Sequence, residues 1–422
     1  MHRCSELPPG CLILRACNRP PAGRGVLSSL LLVLLLSGSL ASGSAVQEGE
    51  ILVLVYAAGG TLEADYGLIT DDIIQMISGA GNVSPDLLEI VVAYGGADTP
   101  GWRGMTVANR SSLTADLGDD RLGTDPPCGR HYPDANMGNS STLGRFLSQA
   151  RDEYRYDRIF LILIGHGEAY TGMLFDQNHA GDPLTLPELV EALQTGGYNV
   201  ELIGFDTCLM GSLEVAGRLS GYASYMIASE ESEPAEGWEY DHFISYLAGQ
   251  SGAPATGYAA ALMNGYLQAP GTGRTLSLLD LSEAGVVTAS LDRYSRDLLP
   301  LLSSDESFSR LRKAVNATRQ FGLTGNGTLD PATMDLMDFV TRSREADPLL
   351  ADPAADLMAA AEKMVLLSVH DDAGAGARGL AILSPVQINE HFYQYYREEA
   401  SITPSWDRFI ETYIRMAGRD AL

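Results

Sequence analysis

Two residues stand where their side chains could do chemistry. His166 lies between glycines in Gly165-His-Gly167, directly after the run Arg158-Ile-Phe-Leu-Ile-Leu-Ile164. Cys208 ends the stretch Val200-Glu-Leu-Ile-Gly-Phe-Asp-Thr-Cys208. Both runs have the length and apolar content of buried strands. Between them Leu186, Leu189, Val190 and Leu193 recur at helical spacing behind Thr185-Leu-Pro-Glu188, a capping-box pattern. Strand, helix, strand is a βαβ unit, whose strands run parallel and end on one sheet edge. His166 and Cys208 are therefore predicted side by side, in the crevice where open α/β sheets take ligands. An imidazole beside a thiol is the minimum apparatus for nucleophilic thiol catalysis. Leu209, Leu213 and Ala216 predict a helix starting within a residue or two of Cys208, with a dipole that would lower the thiol pKa. Gly167 leaves its N–H uncovered, ready to stabilise an oxyanion.

The elements that must position these groups follow in order. Glu50–Tyr56 and Leu87–Tyr94 read as strands, with a helix over Ile69–Ile77 between them. Residues 97–139 show no sustained period and read as a long excursion, with room for a hairpin, over the carboxyl edge of the sheet. A helix over Leu143–Tyr154 leads into the His166 strand, and a further strand over Tyr222–Ala228 ends in an acidic loop, Ser229 to Tyr240. Such alternation predicts a mostly parallel sheet with helices on both faces. Beyond residue 284 the pattern turns helical, over Val286–Leu302, Phe308–Thr318, Thr333–Arg344 and Ala354–Leu367. One late strand at Gly379–Leu383 and a terminal helix at Trp406–Met416 complete it. The expected division is 1–45 leader, 46–284 catalytic domain and 285–422 a mainly helical region packed on it.

Composition narrows the function. With 54 Asp and Glu against 28 Lys and Arg, the net charge is −26. Nucleic acid is not an expected partner for such a surface. Arg15, Arg19 and Arg24, the apolar run Val26–Leu36 and the small residues to Ala45 have the layout of a secretory signal. Membrane contact is expected only if that segment stays uncleaved. Five Asn-x-Ser/Thr sites, at Asn82, Asn109, Asn139, Asn316 and Asn326, are compatible with export. Cys4, Cys11 and Cys17 leave with the leader, so Cys128 and Cys208 remain. Cys128 sits in a turn-rich loop, and a free Cys208 thiol is preferred to a bridge between them. No spacing among His131, His179, His242 and the carboxylates makes a metal site, and no phosphate-binding glycine motif follows the first strand.

The sequence resembles the clostripain family of cysteine peptidases, which belongs with the caspases, legumains and gingipains. The resemblance rests on strand–Gly-His-Gly, strand–Gly-Phe-Asp-x-Cys-Leu-Met-Gly-Ser and Ala-Ser-Glu-Glu-x-x-Pro-x-x-Gly-Trp-x-Tyr. It extends through Leu52–Tyr56, Leu276–Leu281, Asp335–Phe339, Gly379–Pro385 and Trp406–Tyr413. It implies a caspase-like fold, a His166–Cys208 dyad in which the histidine serves mainly the leaving group, and an oxyanion hole from the N–H groups of Gly167 and Cys208. It also implies cleavage of proteins after arginine or lysine, with Asp206 and, from the acidic loop, Glu231 and Glu236 binding the basic side chain. Calcium dependence occurs in the family. No EF-hand-like spacing supports it here, and no cofactor is expected. Some relatives cut themselves after a basic residue between histidine and cysteine. Residues 167–207 hold no Lys or Arg, so no such cut is expected. The expectation is a secreted, monomeric cysteine endopeptidase acting on peptide or protein substrates. The alternatives are a catalytically degenerate surface-binding protein and a thiol hydrolase of small amides.

Overall fold

The computed structural model describes residues 46–117, 129–323, 329–386 and 390–419. In chain order its strands are β1 (Gln47–Ala58), β2 (Leu88–Gly95), β3 (Met105–Asn109), β4 (Arg130–Tyr132), β5 (Tyr154–Ile164), β6 (Met173–Asp176) and β7 (Asp182–Leu184). They continue with β8 (Val200–Asp206), β9 (Ala223–Ala228), β10 (Thr275–Asp280), β11 (Gln320–Leu323), β12 (Leu329–Asp335), β13 (Val365–His370) and β14 (Ala381–Leu383). Among the described residues nine of these form one sheet, in the order β13-β10-β9-β8-β5-β1-β2-β3-β4. The central five run parallel, while β10 and β13 on one edge and β3 and β4 on the other run antiparallel.

Side-chain alternation explains the layering. In β1, Leu52, Leu54 and Tyr56 face one core, and Ile51, Val53 and Val55 face the other. The first core is closed by the helices Ser140–Glu153, Leu186–Gly196 and Leu213–Leu219, the second by Leu68–Ala80, Tyr240–Gly249 and Ala255–Gln268. Strands buried on both faces read as continuous apolar runs, which is why Phe160 to Leu163 carry no polar residue. Each such side chain contributes roughly 1.5–3 kcal/mol on burial. The capping box at Thr185 and Glu188 is present, with both reciprocal hydrogen bonds made.

The excursion after β2 holds an antiparallel pair, β3 and β4, which extends the sheet edge. Three expectations are corrected. A two-stranded hairpin, β6 and β7, is inserted between β5 and the following helix. The segment expected to be helical from Thr333 begins inside β12, and its helix is Leu336–Ser343 with Asp335 as cap. The helix from Ala354 stops at Met364, and Val365–His370 is the strand β13. Its stripe of Leu357, Ala361 and Met364 runs into Val365 with no glycine or proline between, so nothing in the sequence marks the stop.

The region beyond residue 284 meets the rest of the chain at several places, two of them through strands. β13 pairs with β10 in the main sheet. β14, in the three-stranded sheet β11-β12-β14, reaches the segment after Cys208: Ala381 N–H donates to Gly211 O at 2.8 Å and Leu383 N–H to Glu214 Oε1 at 2.8 Å. Cys128 lies outside the described residues, as do residues 1–45. No described helix is long and apolar enough to cross a membrane.

Candidate active site

Parallel pairing sets the site. β5 and β8 pair with Ile164 opposite Asp206, and Gly165 N–H continues the ladder to Asp206 O at 3.2 Å. Two residues further on each strand stand His166 and Cys208, lining one cavity of about 160 Å³. Both are half-buried. Thr61, at the start of the helix Gly60–Tyr66, holds its Oγ1 2.7 Å from His166 Nε2 and so fixes the imidazole plane. Glu233 N–H donates to Cys208 Sγ at 3.3 Å.

The helix expected at Cys208 begins later. It spans Leu213–Leu219, capped by the Ser212 hydroxyl. An elbow intervenes. Leu209 takes φ +67°, which an L residue adopts only under constraint, and its N–H donates to Glu231 O at 3.2 Å. Gly211 donates to Ser229 O at 2.7 Å, and a Cβ there would come within 2.8 Å of the Ser229 carbonyl carbon. The helix therefore starts five residues beyond Cys208 rather than at it. Burial first, then the Asp206 and Glu231 carboxylates, push the Cys208 thiol above its ordinary value, against the Glu233 N–H. Burial pushes the His166 imidazole below its own. The resting pair is thus a neutral thiol and a neutral imidazole. Alkylation of Cys208 by iodoacetamide is expected to rise about tenfold per pH unit through neutrality, levelling only above the ordinary thiol range near 8.5. A fast, pH-independent rate below pH 7 would contradict this.

Gly167 packs on the Cys208 peptide. A Cβ on it would lie 2.5 Å from Cys208 O and 3.1 Å from Cys208 N. Its bridge to Met173 is made by the flanking groups, Leu174 N–H to His166 O at 2.8 Å and Glu168 N–H to Gly172 O at 2.9 Å. That pairing leaves the Gly167 N–H unused. Gly167→Ala keeps the N–H, but its Cβ would push the Cys208 peptide out of place; kcat is expected to fall by about 10²-fold, the scale of one misplaced oxyanion donor, with KM little changed. An unaltered kcat would exclude Gly167 from the reaction.

The cavity is acidic. Asp206 is 5% exposed and accepts Tyr240 Oη–H at 2.7 Å and Trp238 N–H at 3.2 Å. Gly237, at φ +65°, permits this close approach, since a Cβ on it would meet Asp206 Oδ2 at 2.9 Å. Glu233 also lines the cavity, takes Trp238 Nε1–H at 3.4 Å and shares a hydrogen bond with Asp206. Burial raises both carboxyls, Glu233 well above its ordinary value. The donors at Asp206 hold the charge there, and Glu233 holds the shared proton. Asp72, from the helix Leu68–Ala80, is the third carboxyl of this wall. Glu231 and Glu236 do not line the cavity. Glu231 turns away to Arg319 Nη2 at 3.2 Å and to Gly322 N–H at 3.3 Å, and Glu236 is exposed. A loop without a period carries no sign of which glutamate turns inward. Asp72 did leave a sign: it interrupts the apolar face of Ile69, Ile73 and Met76.

An imidazole and a thiol at adjoining ends of a mostly parallel sheet, with helices on both faces, define the caspase-like cysteine peptidase architecture. The model of the clostripain family matches residues 55–415. The chain belongs to the clostripain family of cysteine peptidases. It is 28% identical over 138 residues to clostripain of Hathewaya histolytica, a match covering 28% of this chain and 26% of that protein's length. A secreted C11 cysteine protease from Bacteroides thetaiotaomicron, solved with an irreversible peptide inhibitor, superposes with a TM-score of 0.60 at 17% identity, covering 86% of this chain and 99% of that one. An inactive zymogen C11 protease from Parabacteroides distasonis gives 0.59 at 19% identity, over 84% and 99%. At these identities the superpositions establish the fold.

Proposed function

We propose that the protein is an exported cysteine endopeptidase that cleaves proteins after arginine, and less well after lysine. Cys208 is the nucleophile and His166 its proton partner. The observation that carries this reading is one cavity lined by Cys208, His166 and the buried carboxyls Asp206, Glu233 and Asp72. A basic side chain entering it reaches a charge that is desolvated and hydrogen-bonded, where a guanidinium pairs bidentately.

The chemistry follows from the groups present. The substrate carbonyl carbon settles against Cys208 Sγ, whose proton passes to His166 as the C–S bond forms. The N–H groups of Gly167 and Cys208 receive the developing oxyanion. His166 then gives its proton to the leaving amine. Water, deprotonated by His166, releases the acid from the thioester. The leader at 1–45 supports export, as does the secreted relative; amino-terminal sequencing of protein recovered from the medium would test removal of the leader.

The experiment is a panel of fluorogenic peptides ending in arginine, lysine, aspartate, asparagine or leucine, under reducing conditions, with and without calcium. Turnover of the arginine peptide above all others supports the reading. Turnover of another peptide keeps the thiol chemistry and discards the basic pocket. Silence, with Cys208 still alkylated normally, favours the binding-protein alternative.

A further inference from the structure

Asp72 differs from the other two carboxyls of the cavity. It is 4% exposed, yet among the described residues no donor reaches its carboxyl group, whereas Asp206 holds a hydroxyl and an N–H and Glu233 holds an indole N–H. Its helix is anchored around it. Ile69, Ile73 and Met76 pack into the core, and Gln75 Oε1 accepts Tyr240 N–H at 2.9 Å. The carboxyl is therefore held in place without being used. A buried carboxyl with no partner costs stability and is retained where something completes it.

We propose that Asp72 is a specificity-determining residue of the substrate pocket, the second acceptor for the guanidinium of a substrate arginine. This rests on the reading of the cavity as a basic-side-chain pocket. Asp206 and Asp72 reach the cavity from different elements, the end of β8 and the helix Leu68–Ala80. A planar guanidinium has donors on two edges and can serve both carboxylates at once. An ammonium is a compact point charge, which Asp206 alone satisfies. Burial, reinforced by the charges of Asp206, Asp71, Glu63 and Glu239, raises the Asp72 carboxyl well above its ordinary value, and an entering cation opposes that shift. The preference for arginine over lysine is thus built on Asp72, and the affinity for either on Asp206.

The test compares wild type with Asp72→Asn, which keeps shape and removes the charge. Asp71→Asn, an exposed carboxylate one residue away, controls for net charge. Arginine, lysine and leucine peptides are assayed, and agmatine is used to protect Cys208 from iodoacetamide. In Asp72→Asn, kcat/KM for the arginine peptide should fall about 30-fold through KM, and for the lysine peptide about threefold, narrowing the ratio about tenfold. Agmatine protection should weaken about tenfold, while the alkylation rate without agmatine stays at the wild-type value. Asp71→Asn should keep the arginine-to-lysine ratio within about twofold of wild type. An unchanged arginine-to-lysine ratio overturns the proposal and leaves the basic pocket standing. A loss shared by all three peptides, or a slower alkylation, assigns Asp72 a structural role and also overturns it. Wild type that turns over only the leucine peptide removes the basic pocket and Asp72 together.

Discussion

Cys208→Ala should lose on the order of 10⁵–10⁶-fold in kcat against an arginine peptide, the scale seen when a catalytic nucleophile is removed. KM should stay within a few-fold, because the pocket carboxyls sit on other side chains. The half-buried thiol packs only at the margin of the core and has one backbone donor, so the alanine variant should melt within a few degrees of wild type. His166→Ala should cost nearly as much, and the double variant no more than either single one. Groups acting on one proton and one bond do not contribute additively. Progress curves and active-site titration on purified variants would check this. Residual turnover within tenfold of wild type would place the nucleophile elsewhere.

Asp206→Asn is the second large effect expected. Asparagine still offers Oδ1 to the Tyr240 hydroxyl and the Trp238 N–H, so the wall keeps its shape. The charge is gone, and an entering guanidinium is desolvated with no full partner. kcat/KM for the arginine peptide should fall about 10³-fold, equivalent to about 4 kcal/mol. The lysine peptide should fall by a similar factor and the leucine peptide by no more than about threefold. Retained discrimination between arginine and leucine would refute the assignment of Asp206. The two losses differ in kind: removing the thiol abolishes turnover of every peptide, while removing the carboxylate spares the uncharged ones.

Much of this was legible in the chain because strand ends are legible. Glycines bracket His166 and apolar runs precede both His166 and Cys208, so parallel pairing alone sets the two at one edge. The capping box at Thr185 is a short-range pattern and appears as written. What escaped depends on contacts distant in sequence. The elbow at Leu209 is held by the loop after β9, and without that loop a helix from Cys208 is the natural local reading. Which glutamate faces the cavity depends on Arg319, which draws Glu231 away. β13 is a strand because β10 offers an edge, although its preceding helix shows no stop. Asp72 was legible in principle, as a carboxylate on an apolar face, but its destination required the neighbouring strand ends.

The elbow that carries Cys208 is closed from the far end of the chain, where Ala381 donates to Gly211 and Leu383 to Glu214. The strands that lead to His166 and Cys208 precede that segment by well over a hundred residues. Long-range closure of this kind must await the later residues and is slow to form. The turn that carries Cys208 gains this brace only once residues 381–383 are in place.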